Sequence, residues 1–198
     1  AVAISGTAAL QALRDHGRVG PGQQVLIIGA SGGVGTFAVQ LAKAVGAEVT
    51  AVCSATKVDL VSSLGADHVI DYTRDDFAEG ESRYDVILDI GGNSSLSRLR
   101  RALAPKGTLV ITGGETGGRW LGGTDRQIRA RVLSPFVGQT LTTFIAKENY
   151  RDLLVLKGFI EAGKVTPVID RTYPLSEAPE AIRYLEQGHA RGKIVIAA

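Results

Sequence analysis

Residues 25–35 read Val-Leu-Ile-Ile-Gly-Ala-Ser-Gly-Gly-Val-Gly, and the helical stretch Thr36–Val45 follows at once. The order predicts a buried strand, a glycine-rich turn and then a helix. Few tasks suit that arrangement as well as holding a dinucleotide pyrophosphate. The turn carries backbone N–H groups to the phosphate oxygens, and the helix N-terminus adds favourable positive potential. Gly29 permits the tight turn off the strand, Gly32 removes a side chain where the ligand approaches, and Gly35 lets the helix pack close to the sheet. Ser31, Gly33 and Val34 complete the predicted cradle. The spacing Gly29-x-x-Gly32-x-x-Gly35 departs from strict GxGxxG, so the legible strand before it and helix after it carry the reading.

Size and charge bound the rest. A chain of 198 residues has room for one substantial core, or one core and an appendage. It is 44% hydrophobic, yet no run approaches about 18 unbroken apolar residues, which predicts no membrane-spanning helix. No basic stretch leading into a short apolar segment opens it, so a cytoplasmic location is expected. A net charge of +2 is too small to argue for nucleic acid or a membrane surface. Arg98, Arg100 and Arg101, then Arg126, Arg129 and Arg131, read as solvated helix faces. Cys53 is the single cysteine, which excludes an internal disulfide and a multi-cysteine zinc site. The chain has no methionine, so it is expected to be part of a longer one.

Strands and helices alternate along the chain. Strands are expected at Gln24–Ile28, Glu48–Cys53, His68–Asp71, Tyr84–Asp89 and Thr108–Thr112, with a last one at Lys193–Ile196. Helices are expected at Thr7–Asp15, Gly33–Val45, Thr56–Leu64, Ser94–Leu103, Ala146–Ala162 and Ser176–Gln187. Gly113–Gly123 holds six glycines and reads as a loop. Val132–Phe144 is β-prone but interrupted by Pro135 and Gly138, and Val168–Tyr173 is extended. This alternation predicts an α/β fold, a doubly wound parallel sheet with right-handed crossovers and helices on both faces.

Several motifs, in order, resemble the medium-chain dehydrogenase/reductase superfamily. They are Gly6-Thr7-Ala8-Ala9 before a helix, Val19-x-Pro21-Gly22-Gln23-x-Val25-Leu26-Ile27, and Gly29-Ala30-Ser31-Gly32-Gly33-Val34-Gly35. Leu64-Gly65-Ala66-Asp67-His68-Val69-Ile70-Asp71-Tyr72 and Gly188-His189-Ala190-Arg191-Gly192-Lys193-Ile194-Val195-Ile196 follow. The Ala-Ser-Gly-Gly-Val-Gly form is similar to the zinc-free quinone oxidoreductase branch, which includes zeta-crystallin-like enzymes. The resemblance implies a Rossmann domain with a leading linker helix over residues 1–167. Residues 168–198 would be a return segment joining an N-terminal catalytic domain that these residues do not contain. It also implies hydride transfer from NADPH to a quinone or an enone, and a homodimer formed by edge pairing of the segment Val132–Leu141.

The end of the second strand bears on cofactor choice. A carboxylate there would bond ribose hydroxyls and favour NAD. This chain reads Val52-Cys53-Ser54-Ala55-Thr56-Lys57, with no acid before Asp59. Ser54 and Lys57 are the expected ligands of a 2′-phosphate, which makes NADPH the expected cofactor. The resemblance adds Tyr72 near the same phosphate, and Asn93 with Thr112, Gly113 and Gly114 along the cofactor.

Other chemistries find little support. His16, His68 and His189 are scattered without metal-ligand spacing, so no metal is expected. No tyrosine is followed by lysine four residues on, no lysine closes the glycine turn as in a P-loop, and no Gly-x-Ser-x-Gly elbow occurs. Cys53 reads as a small buried residue. No catalytic acid or base stands out. Three alternatives stay open: a methyltransferase-like domain, a non-catalytic pyridine-nucleotide sensor, and the cofactor domain of a zinc-dependent alcohol dehydrogenase.

Overall fold

A computed structural model describes residues 2–79, 83–91, 94–112, 129–130, 132–134, 137–188 and 190–197. Strands β1 (Gln24–Ile28), β2 (Glu48–Cys53), β3 (His68–Asp71), β4 (Tyr84–Asp89), β5 (Leu103–Ile111) and β6 (Thr140–Thr143) form one sheet in the order β3-β2-β1-β4-β5-β6. Every pairing is parallel. The chain steps outward from β1 to β3, then returns to β4 on the other side of β1. The strand order reverses there, and a crevice opens beyond the carboxyl ends of β1 and β4.

The apolar runs make this sheet. Successive side chains point to opposite faces, so a strand covered on both sides needs apolar residues throughout. Val25 and Ile27 join Val49, Ala51, Val86 and Leu88 in one core. Leu26 and Ile28 join Val52, Ile87, Leu109 and Ile111 in the other. The first core takes in residues of α1 (Ala3–Gln11), α2 (Gly35–Ala44) and α3 (Val58–Ser63), with Leu156 of α5 (Tyr150–Glu161). The second takes in Leu99 and Ala102 of α4 (Leu96–Ala102), with Phe77.

The first helix begins four residues earlier than the apolar spacing predicts, and its last turn, Ala12–His16, is π-helical. Tertiary contacts set its start: a Cβ on Gly6 would stand 3.1 Å from Leu156, so α1 packs closely on α5. Buried Asp152 locks the pair. It accepts from Gln11 Nε2 and Arg14 Nη1, each at 2.7 Å, and from Asn149 Nδ2 at 2.6 Å. Desolvation pushes this carboxyl up, but the three donors outweigh it and hold it below its usual range.

Three further expected elements shift. The helix expected from Ala146 begins at Tyr150, where the Asn149 side chain caps it by accepting the Asp152 N–H at 2.9 Å. β5 starts at Leu103 and runs through Pro105, which the register break between Tyr84 and Val86 accommodates. The β-prone segment 132–144 is not one strand. Val132 and Leu133 are helical, and only Thr140–Thr143 is a strand, at the edge of the sheet. One local and several distant hydrogen bonds decide this: Ser134 Oγ accepts the Leu141 N–H at 3.0 Å, and the Gln139 amide donates to the carbonyls of Arg100, Leu103 and Ala104. The glycine-rich loop 113–123 lies outside the described residues.

β7 (Ile169–Pro174), α6 (Ala178–Glu186) and β8 (Lys193–Ala197) form a second unit with its own two-stranded parallel sheet. Its link to the first sheet runs through the segment before β8, where Gly192 N–H donates to the Ser31 carbonyl at 3.0 Å. No helix among the described residues is long and apolar enough to cross a membrane.

Candidate functional site

The turn after β1 is shaped by backbone contacts. Gly29 has φ +86°, and the N–H groups of Gly29 and Ala30 both donate to the Val52 carbonyl. A Cβ on Gly35 would lie 2.2 Å from the Gly29 carbonyl oxygen, so α2 starts against the turn itself. Among the described residues, the N–H groups of Ser31, Gly33 and Val34 make no hydrogen bond. Unsatisfied N–H groups at a helix start form a cradle for an anion.

A cleft of about 280 Å³ opens beside this turn. Gly29 and Ser31 line one part of it, and Cys53, Ser54, Lys57 and Tyr72 another. The register of β2 with β3 explains the second group. Cys53 pairs with Asp71, and the Tyr72 N–H donates to the Cys53 carbonyl, so Ser54 and Tyr72 leave the sheet side by side. Among the described residues, no carboxylate lines the cleft. Burial pushes the Cys53 thiol up, Asp71 adds to this, and Lys57 opposes it, so the sulfur stays an uncharged packing group.

Lys57 does more than point at solvent. Its Nζ donates to the Ala190 carbonyl at 3.1 Å and reaches the Gly188 carbonyl at 3.5 Å. The segment before β8 is therefore tied to the β2 end by Lys57 and to the glycine turn by Gly192.

The structure thus brings together Gly29, Ser31, Ser54, Lys57 and Tyr72, with Gly32, Gly33, Val34 and Gly35 forming the adjoining turn. Thr112 follows the end of β5, outside the lining of this cleft, with its N–H on the Asp89 carbonyl and its buried Oγ1 unpartnered. Asn93, Gly113 and Gly114 lie outside the described residues.

Sequence reasoning passes over two features. Lys193 extends its half-buried ammonium to the Ser5 hydroxyl and over the glycine turn, 3.1 Å from where a Cβ on Gly33 would stand. Burial pushes its pKa down, and no carboxylate pairs with it among the described residues. An anion on the turn would supply the missing counter-charge. The second feature is the wall made by Phe77, Gly91, Ser94 and Arg98. No spacing rule links residue 193 to residue 33, or 77 to 98, so neither carries a sequence signal.

A zinc ion finds no ligand set here. No three His, Cys, Asp or Glu side chains stand together among the described residues. His16 stacks on Phe144 with ring centroids 4.2 Å apart, and His68 meets Glu48 at 3.2 Å.

Known proteins resemble this chain in sequence and fold. Residues 64–196 match the family described as zinc-binding dehydrogenase. The mouse protein named NAD(P)H oxidoreductase RTN4IP1, mitochondrial, is 40% identical over 191 residues, covering 88% of this chain and 48% of that protein. The chloroplastic NADPH-dependent alkenal/one oxidoreductase of Arabidopsis thaliana is 34% identical over 179 residues, covering 88% of this chain and 40% of that one. The solved quinone oxidoreductase from Coxiella burnetii superposes with a TM-score of 0.83 at 29% identity, over 98% of this chain and 58% of that one. The chain spans about half the length of the curated relatives it matches.

Proposed function

The chain belongs to the zinc-binding dehydrogenase family, within the medium-chain dehydrogenase/reductase superfamily, and on that premise we propose that it is the NADPH-holding part of an oxidoreductase acting on a quinone or an activated alkene. One observation carries the cofactor reading: a cleft with no carboxylate among its described lining residues, which joins unpaired turn N–H groups to Ser54, Lys57 and Tyr72. The names of the mouse and Arabidopsis relatives support the same cofactor class, and those of the Arabidopsis and Coxiella proteins the substrate class.

Each group has a part. The turn N–H groups and Lys193 would hold the pyrophosphate, and Ser54, Lys57 and Tyr72 would hold the 2′-phosphate. By the resemblance, Asn93 and Thr112 to Gly114 are the further residues proposed to contact the cofactor; of these only Thr112 lies among the described residues. The bound cofactor supplies a hydride from its nicotinamide ring. These residues anchor its adenosine end and so fix where the ring can lie. No described residue is assigned as a proton donor.

We read residues 1–167 as the Rossmann domain and 168–198 as the segment that packs on the rest of a longer chain. Exposed Ile169, Leu175, Ile182, Leu185 and Ile196 support this, because a two-stranded sheet and one helix leave their apolar side uncovered. The homodimer moves with the strand: β6 ends the sheet, and pairing of its open edge with a second copy is the contact we propose. Sedimentation equilibrium reads it, and a strictly monomeric chain overturns it.

Titration with NADPH, NADH and S-adenosylmethionine tests the main reading. NADPH is expected to bind and S-adenosylmethionine not to. With 1,4-benzoquinone or a simple enone present, the isolated chain is expected to oxidise no NADPH above background. Saturable turnover overturns the need for a further domain, and absence of NADPH binding overturns the cofactor assignment.

A further inference from the structure

Once the turn takes the pyrophosphate and the β2 end takes the phosphorylated ribose, one wall of the cleft is left, formed by Phe77, Gly91, Ser94 and Arg98. We propose that Arg98 is the platform on which the adenine base stacks. The inference rests on the reading of this cleft as the NADPH site and assigns its remaining wall.

The Arg98 guanidinium is held in a fixed plane. Its Nε donates to Asp76 Oδ1 at 2.9 Å, and Nη2 lies 2.8 Å from the same oxygen. Asp76 Oδ1 also accepts the Ala78 N–H at 2.8 Å, which ties the loop after β3 to the pair. The guanidinium carbon sits 4.7 Å from the centroid of the Phe77 ring, which is itself buried. Phe77 thus backs the group, Asp76 fixes its edge, and 38% of the side chain remains exposed where the cleft opens.

Chemistry separates this group from a phosphate ligand. Asp76 already compensates its charge, so a second anion gains less from it than from Lys57 or Lys193. What Arg98 still offers is a flat, delocalised, weakly hydrated surface, which suits a heteroaromatic face. Ile28 and Val52 add apolar lining to the same cleft, as a base needs and a phosphate does not.

Calorimetric titration with 2′,5′-ADP and with AMP tests this, since both carry adenine and only the first carries the 2′-phosphate. Arg98→Ala is expected to weaken both about five- to thirtyfold, the equivalent of one stacked cation–π contact. Arg98→Lys keeps the charge but loses the plane, and is expected to bind as weakly as Arg98→Ala. Binding by Arg98→Ala within twofold of wild type overturns the proposal. So does recovery in Arg98→Lys, or a loss seen with 2′,5′-ADP and absent with AMP, because either makes Arg98 a charge contact. Circular dichroism checks the fold, and if Arg98→Ala fails to fold, Arg98→Lys decides alone. If wild-type chain binds neither 2′,5′-ADP nor NADPH, the cofactor reading fails and the platform with it. Binding of wild type with no Arg98 effect removes the platform alone.

Discussion

Replacing Gly35 by alanine is expected to cost about 3 kcal/mol and to abolish cofactor binding. The added Cβ would stand 2.2 Å from the Gly29 carbonyl oxygen and 2.6 Å from the Ala30 carbonyl carbon. Both are main-chain atoms, so no rotamer can move aside. Either α2 shifts away from β1 or the turn opens. Overpacking a tight core costs about 1–3 kcal/mol, and this contact belongs at the upper end because rigid backbone lies on both sides. In a domain of this size that lowers the melting temperature by about 6–12 °C. Gly32→Ala is the control, because its Cβ would meet only the Gly29 carbonyl oxygen, at 3.5 Å. That variant is expected to melt within a few degrees of wild type and still to lose NADPH affinity, since its methyl stands where the phosphate approaches. Thermal melting with NADPH titration separates the two cases. An unchanged melting temperature for Gly35→Ala would show that the helix does not depend on this close approach.

That pair of glycines also marks how far the sequence is readable. β1, β2 and β4 coincide with their expected bounds because nearly all their residues are buried between two layers, which writes mostly apolar runs into the chain; β3, an edge strand with no buried residue, also keeps its expected bounds. Gly35 was legible because a strand, a turn and a helix follow one another within about a dozen residues. Elements held by distant partners were less so. The start of α1 depends on Leu156, and the early start of β5 on a register break opposite β4. The fate of residues 132–144 depends on the Gln139 amide reaching back to the carbonyls of Arg100 in α4 and of Leu103 and Ala104 just beyond it. β-Branched residues cannot report such contacts, because their preference is for a pleated, half-buried surface wherever one is offered.

The site divides in the same way. Ser54, Lys57 and Tyr72 fall at the ends of consecutive parallel strands, so topology alone brings them together. Lys193 and Arg98 arrive from elements whose docking no local pattern encodes. Lys193 reaches the turn only because Gly192, at φ +92° and pressed against Val168, bends the chain there. The same bend is held by the Gly192 N–H on Ser31. Sequence reasoning names the glycines of the turn and passes over the cation that lies above it.

The removal of Lys57 should separate the two cofactors. An ammonium has three N–H donors. In this structure one is well spent on the Ala190 carbonyl and a second reaches Gly188 at long range, so at least one remains for a phosphate oxygen. The two carbonyls also hold the ammonium at the end of β2, which reduces the entropy lost when a phosphate arrives. A charge-assisted hydrogen bond contributes about 1.5–3 kcal/mol net, and about 1.4 kcal/mol is tenfold in affinity. Lys57→Ala is therefore expected to weaken NADPH about ten- to a hundredfold, toward the lower figure because the side chain is only partly buried. NADH, which lacks the 2′-phosphate, should change little. Lys193→Met is the complement: Lys193 lies over the turn proposed to hold the pyrophosphate common to both cofactors, so NADPH and NADH should weaken alike. Calorimetric titration of wild type and both variants with both cofactors gives the comparison. Equal losses in Lys57→Ala would show that Lys57 acts only by holding the segment before β8, and a wild-type preference for NADH would overturn the reading of this strand end.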